Sequence, residues 1–134
     1  MNGRFPIAIH IMTLLSYTEQ KLSSDYIAGS LNINPALVRK ALRDLIAHGL
    51  VVSKEGKTGG YQLSRSAEKI SLAEIYESVK PVAILGVSKN TPNPGCPVGR
   101  QITNHLNLLY QGIDAHLEKQ LAGESLKTFS NKFT

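Results

Sequence analysis

The chain has little of several residue types, and each shortage narrows what the protein can be. Among its 134 residues there are one cysteine and no tryptophan. A lone cysteine, Cys96, excludes an internal disulfide framework, so a reducing cytoplasm is the expected location. No apolar run approaches the roughly 18 residues that span a bilayer, and no membrane partner is expected. The apolar start lacks a small-residue cleavage site, which predicts a core helix rather than a signal peptide.

Patterns that carry catalysis are also missing. The sequence has no paired carboxylates in one motif, no nucleophile with a neighbouring base and no phosphate-cradling loop before a helix. The segment GKTGGY at 56–61 superficially suggests such a loop, but it lacks the required spacing and the following helix. We therefore expect that the protein is not an enzyme.

Acidic residues are scarcer than basic ones, and the imbalance is local. The whole chain carries a formal charge of +5, and the stretch 32–65, with six basic and two acidic residues, carries +4 of it. Such clustering attracts phosphate groups whatever the base sequence. Solvated faces of a helix and a hairpin would produce the same pattern, so charge alone does not decide the function.

The stretch 21–65 has the pattern of a helix, a turn, a second helix and a two-stranded β-ribbon. Asn34 can cap the second helix, Pro35 suits its first position, and Gly49 can take the left-handed conformation that ends it. This order predicts a winged helix-turn-helix whose second helix, the reader helix, enters a DNA major groove.

Helical spacing also predicts which residues of the two helices face inward. Tyr26 of the first helix and Ile46 of the second fall among the apolar positions assigned to the core. Gly29, inside the first helix, predicts a close crossing of two helices, since a missing side chain lets backbones approach.

The second half of the chain predicts a capped short helix, a loop and a long helix. Ser71 and Glu74 match a capping box. The segment 82–87 is short and apolar, and it either pairs as a strand or packs without pairing. From Val98 to Ala122 apolar residues recur every three or four positions, which corresponds to a rod of about 37 Å.

The long helix predicts self-association. The preceding unit is too small to cover its apolar stripe, and a bare stripe marks an interface, so we expect a homodimer. The alternative is that the helix folds back entirely onto its own chain. The residues assigned to the dimer interface are Ile102, Leu106, Leu109, Ile113 and Leu117.

The predicted fold class is therefore mainly α with a small antiparallel β wing, a winged helix-turn-helix with a long C-terminal dimerisation helix. The division is 1–80 for DNA binding, 81–97 for a loop or sensor segment, and 98–134 for the dimerisation helix and a C-terminal helix. Two reader helices related by a twofold axis predict an inverted-repeat target in double-stranded DNA.

Several segments together resemble a known family, the Rrf-two (Rrf2) family of bacterial transcription regulators, and in particular its YwnA-like members. The resemblance covers nearly the whole chain, and it implies a cytoplasmic homodimer that binds palindromic operators and usually represses. The segments that carry it are IAIHIMTLLSY, SSDYIAGSLNINPALVRKALRDLIAHGLV, GKTGGYQLS, ISLAEIYESV and NPGCPVGRQI.

Positions of the reader helix and the wing match DNA contacts of that family. Arg39 is expected to read guanine, because a guanidinium can bind O6 and N7 together, and the neighbouring basic residues are expected to bind phosphates. Glu55 stands where some members have an arginine, which argues against minor-groove reading by the wing. The predicted DNA-binding residues are Asn34, Ala36, Leu37, Arg39, Lys40, Arg43, Lys54, Lys57, Thr58, Gly59 and Gly60.

Cluster-binding members of the family carry three cysteines before the long helix, where this chain has only Cys96. One thiolate cannot hold an iron–sulfur cluster, which typically uses about four ligands, so no cofactor is expected. His105 and His116 do not complete a recognised metal pattern with it. Cys96 is instead a candidate redox sensor near a helix N-terminus, with a packing role as the alternative. An unknown small-molecule effector stays open.

The expected function is that of a dimeric, sequence-specific DNA-binding transcription regulator, a repressor without an iron–sulfur cluster that acts on a palindromic operator. The alternative is a winged-helix protein–protein interaction module without DNA binding, whose basic face meets an acidic partner.

Overall fold

The computed structural model describes residues 3–81 and 84–134. Helices dominate, and the two strands form one antiparallel ribbon, so the predicted fold class is confirmed. The elements are α1 (Arg4–Thr18), α2 (Ser24–Leu31), α3 (Pro35–Ala47), β1 (Val51–Lys54), β2 (Gly60–Leu63), a 3-10 turn (Ala67–Lys69), α4 (Leu72–Val79), α5 (Pro97–Ala122) and α6 (Leu126–Ser130).

The helix starts follow from local capping bonds. The Asn34 side chain accepts a hydrogen bond from the Ala36 N–H at 2.7 Å and begins α3. Ser71 and Glu74 form both bonds of the capping box that begins α4. At the other end of α3, Gly49 has φ +72, as predicted for the residue that ends this helix.

One apolar core holds together α1–α4, the ribbon and α6, which we call the head; α5 is called the rod. Fully buried residues come from distant parts of the chain, including Ile11, Leu42, Ile75 and Leu126. The last helix therefore returns to the head after the rod.

Three expectations about α2 and α3 are wrong. Tyr26 is 57% exposed and Ile46 is also exposed, because the buried residues of these helices include their neighbours Ile27 and Leu45, and one position turns a side chain by about 100°. A Cβ added at Gly29 would meet nothing within 4 Å, so no helix of the described residues crosses closely there.

The loop between α4 and α5 is only partly described. Val82 and Ala83, which belong to the segment expected to pair or pack, lie outside the described residues. Ile84 and Leu85 form a turn, and Leu85 and Val87 are largely exposed. Among the helices of the described ranges, none has the length and apolarity needed to cross a membrane.

Candidate nucleic-acid interface

The buried side of α3 determines which side chains it presents to solvent. Val38, Leu42 and Leu45 are buried in the head. At about 100° per residue, Lys40 and Arg43 lie on the opposite side of the helix. Both are exposed, so the part of α3 farthest from the core is cationic.

Arg39 and Leu37 flank this cationic side, one on each edge. Both are exposed, and Leu37 keeps 51% of its surface accessible. Ala36 lies on the solvent side near the start of α3 and adds little bulk there. The side-chain oxygen of Asn34 is occupied by its capping bond, which leaves its amide group as the available donor.

Basic side chains on α3 and the wing are unpaired. Within the described ranges, five of them make no hydrogen bond or ion pair with protein groups. Their charge is therefore available to an external anion. These residues are Arg39, Lys40, Arg43, Lys54 and Lys57.

Two arginines of the same region are instead engaged with acids. Arg4 donates to Asp44 of α3 at 3.1 Å. Arg65 pairs with Glu74 and donates to the carbonyl oxygens of Lys69 (3.1 Å) and Gly49 (3.4 Å). Arg65 therefore ties the end of the wing to α3 and α4, a role that composition does not reveal.

The wing is a two-stranded ribbon in which Val51 pairs with Leu63 and Lys54 with Gly60. Gly60 has φ +150, and a Cβ there would lie 2.8 Å from the Leu22 carbonyl oxygen. A Cβ at Gly59 would overlap the Lys54 carbonyl oxygen. Both glycines are thus required by the ribbon itself, whether or not DNA approaches them.

The wing tip is exposed and has mixed charge. Lys54, Lys57 and Thr58 are exposed, and so is Glu55 between the two lysines. Gly56 has φ +102 and accepts a hydrogen bond from the Gly59 N–H at 3.0 Å, which closes the turn. The tip can present two ammonium groups to phosphates, with one carboxylate beside them.

The rod has no buried residue within this chain. Of the five positions assigned to a dimer interface, three are exposed and two are half-buried. Leu109, the most exposed of them, keeps 55% of its surface accessible. Leu108, at 59%, widens the apolar surface and was missed, although it directly precedes Leu109 in the sequence.

Cys96 is the N-cap residue of the rod, and its side chain is exposed. It makes no side-chain capping bond; its N–H donates to the Asn93 carbonyl oxygen at 3.2 Å. His105 and His116 are exposed on the rod itself.

Two helices joined by a short turn, with a cationic second helix and a β-ribbon after it, define a winged helix-turn-helix protein. Residues 1–132 match the family described as Rrf2, iron-dependent transcriptional regulator. The chain belongs to the Rrf2 family, and the resemblance recognised in its sequence motifs is confirmed.

Similar proteins cover almost the whole chain. One is YwnA of Bacillus subtilis (strain 168), named as an HTH-type transcriptional regulator, with 37% identity over 131 residues, 98% of this chain and 97% of YwnA. A crystal structure described as that of a DNA-binding protein has 35% identity and a TM-score of 0.76, and the match covers 94% of this chain and 97% of that one.

The cysteine regulator CymR of Bacillus subtilis shares the fold at lower identity. Its structure has a TM-score of 0.72 at 20% identity, and the match covers 100% of this chain and 98% of that one. At this level the likeness concerns the fold alone.

The family description implies iron, but the residues present do not fit an iron–sulfur cluster. The chain has one cysteine, whereas such clusters typically use about four ligands. Across residues 3–81 and 84–134, no three histidine, cysteine or acidic side chains converge as a metal site requires.

Proposed function

We propose that this protein is a dimeric, sequence-specific DNA-binding transcription regulator that represses by occupying an inverted-repeat operator and works without an iron–sulfur cluster. The observation that carries the proposal is the set of five unpaired basic side chains on α3 and the wing. Unpaired cations on a helix that protrudes from a winged head suit phosphate and base-edge contacts in a major groove.

The rod supports the dimer. A helix of 26 residues that buries none of them in its own chain leaves an apolar stripe in water, which a second copy would cover. Two copies packed through their rods would present two α3 helices related by a twofold axis, and such a pair reads an inverted repeat. A protein that works on chromosomal DNA in a bacterium acts in the cytoplasm.

The similar proteins support the regulatory role. YwnA is named as a transcriptional regulator, and the structure at 35% identity is described as a DNA-binding protein. Repression follows if the operator overlaps a promoter, because a bound dimer then excludes the polymerase.

Two substitutions in the head test the assignment of contacts. Arg39→Ala should lower affinity for the selected operator about fivefold to 150-fold and affinity for random DNA far less, since a bidentate base contact contributes roughly 1–3 kcal/mol of discrimination. Lys57→Ala should weaken both equally and lower the slope of log affinity against log salt by about 1. Binding is measured by fluorescence anisotropy at several salt concentrations.

Lys119→Ala, which removes an exposed lysine of the rod, serves as the matched control and should leave both affinities unchanged. Equal losses on operator and random DNA for Arg39→Ala would contradict its role in base reading. If the wild-type protein shifted no genomic fragment at low salt, DNA binding itself would be refuted, and a protein-interaction module would be favoured.

A further inference from the structure

We propose that Asp114 of the rod is a positioning residue that, through Tyr76 of α4, fixes the angle between head and rod and so selects the spacing of the two half-sites in the operator. The inference rests on the proposed function, because it concerns the same dimer on the same inverted repeat. It assigns a specificity role to residues that contact no DNA.

The rod leaves the head along α4, and the junction contains a buried phenol. Tyr76 is only 5% exposed, and its hydroxyl donates to Asp114 Oδ1 at 2.9 Å. The Tyr76 ring is also held from the head side, since the ring of Phe5 lies against it edge-on at 6.0 Å between centroids. The hydroxyl therefore occupies a fixed point of the head.

A second polar contact lies one helical turn away. The Lys80 ammonium is 3.4 Å from Asp114 Oδ2 and 3.2 Å from Glu118 Oε1. Residues four apart share one face of a helix, so the pairs 76/80 and 114/118 face each other along the two axes. Two contacts one turn apart along the rod resist tilting of the rod against α4, which a single contact would permit.

The C-terminal end of the rod is anchored by backbone bonds. The Leu72 N–H donates to the Glu124 carbonyl oxygen at 3.0 Å, and the Leu126 N–H donates to the Ile70 carbonyl oxygen at 2.7 Å. These bonds do not depend on side chains, so they hold the end of the rod in any variant of the junction. Asp114 lies ten residues earlier, about 15 Å along the helix.

A tilt at the contact between α4 and the rod is magnified along the length of the rod. Beyond Asp114 the rod continues to Pro97, about 25 Å at 1.5 Å per residue, and this part carries most of the exposed apolar stripe. A small tilt at Asp114 therefore becomes a larger displacement where two rods would meet. The separation and relative rotation of the two α3 helices in a dimer depend on that tilt.

Of the junction contacts, the Tyr76–Asp114 bond is expected to dominate. It joins a buried hydroxyl to a carboxylate, and hydrogen bonds to charged groups are about twice as strong as neutral ones. The side chain of Lys80 is 36% exposed, and ion pairs at such exposure contribute little because water and salt screen them.

The angle between head and rod determines which spacing of the two half-sites the dimer prefers, because each base pair between them changes their separation and relative rotation. Inserting one base pair between half-sites moves one of them by about 3.4 Å and turns it by about 35° around the duplex. A dimer with rigid junctions tolerates this poorly, whereas a dimer with loosened junctions adapts.

The test compares operators in which the selected spacing is kept, shortened by one base pair or lengthened by one. Tyr76→Phe removes only the hydroxyl, and Asp114→Asn removes the charge of its acceptor at nearly constant volume. Each variant should lower the affinity ratio between preferred and altered spacing at least about fivefold, while affinity for the preferred spacing falls less than that ratio. Melting temperature is recorded for each protein, because a merely structural role would change it without changing the ratio.

Glu77→Gln is the matched control. It weakens a contact of Lys80 that lies within the α4 segment (3.2 Å) and does not cross to the rod, so the ratio should stay at the wild-type value. Sharp spacing preference in wild type and in both junction variants would overturn this inference alone. A wild-type protein that bound DNA without preferring any inverted repeat would overturn the proposed function and this inference together.

Discussion

The basic residues around α3 and the wing fall into two groups. Some stabilise the fold through ion pairs, and the others are available to a ligand. Arg4 and Arg65 are held by Asp44 and Glu74, whereas the cations at the solvent side of α3 have no such partner in the described residues. Arg65 lies in the same cationic stretch of sequence as the available cations, and Arg4 pairs with Asp44 of that stretch. Formal charge therefore overstates the charge that this surface offers to DNA.

The buried phenol of Tyr76 predicts a pH dependence of stability. Burial, with the hydrogen bond to Asp114, raises the pKa of Tyr76 from 10.0 to about 12. The fold thus favours the neutral phenol, and this stabilisation is complete below pH 10 and is lost as pH rises through about 12. The difference in free energy of unfolding between wild type and Tyr76→Phe should shrink across that interval, as measured by urea unfolding at a series of pH values.

The charged groups around the phenol are the same in both proteins. Asp114, Glu77 and Lys80 face it, and the pKa of Lys80 is raised above its usual value chiefly by the hydrogen bond to Glu77. Their titration therefore largely cancels in the comparison. A difference in unfolding free energy that stayed constant from pH 10 to 12 would contradict the assignment.

Among the elements, the rod differs from the helices of the head because it buries no residue in the common core. It packs along α4 through its C-terminal half, while its N-terminal half leaves apolar side chains in water. The stripe is more than a consequence of composition, because polar residues such as Asn104 occupy the opposite side of the same helix.

A charge placed on the stripe should separate the protomers and leave the head folded. Leu109→Glu introduces a carboxylate at a position that is 55% exposed in one chain but desolvated in a rod–rod interface. We expect sedimentation as a monomer, unchanged helical circular dichroism and loss of tight binding to an inverted repeat. Asn104→Glu, on the opposite side, should remain dimeric; a dimeric Leu109→Glu protein would place the interface elsewhere.

In the whole molecule, the C-terminal helix closes the core of the head. Leu126 is fully buried in the core, where α6 packs against α1 and the 3-10 turn, and the hydroxyls of Ser16 and Ser130 lie 2.9 Å apart in the interior. The chain enters the rod from the head and returns to the head after it, so we expect rod and head to unfold together. In the proposed dimer, association through the rod adds to the stability of the whole chain.

The proposed dimer predicts that thermal stability depends on protein concentration. The melting temperature of the wild-type protein should rise as protein concentration is increased about a hundredfold, because dimerisation stabilises the folded state by mass action. Leu109→Glu should abolish this dependence. Differential scanning fluorimetry across the concentration series measures it, and a melting temperature independent of concentration in the wild type would argue against a dimer.

The sequence alone determined the features that depend on interactions between residues close together in the chain. Asn34, Ser71 and Glu74 bond to groups within three positions, and Gly49 needs only its own backbone conformation, so these helix ends were predicted correctly. The apolar repeat of the rod was readable because it persists over many turns, whereas α2 has eight residues, too few for periodicity to place Tyr26.

Partners far apart in the chain depended on how the helices dock. Arg4 meets Asp44 across 40 positions and Tyr76 meets Asp114 across 38, and no spacing rule connects such residues. The first pairing exists because the core brings α1 and α3 together at one angle, which results from the packing of all the buried side chains at once. The second exists because the rod packs along α4. The tertiary structure alone therefore decided which basic residues form ion pairs within the fold and which face a ligand. It also decided the direction in which the rod leaves the head.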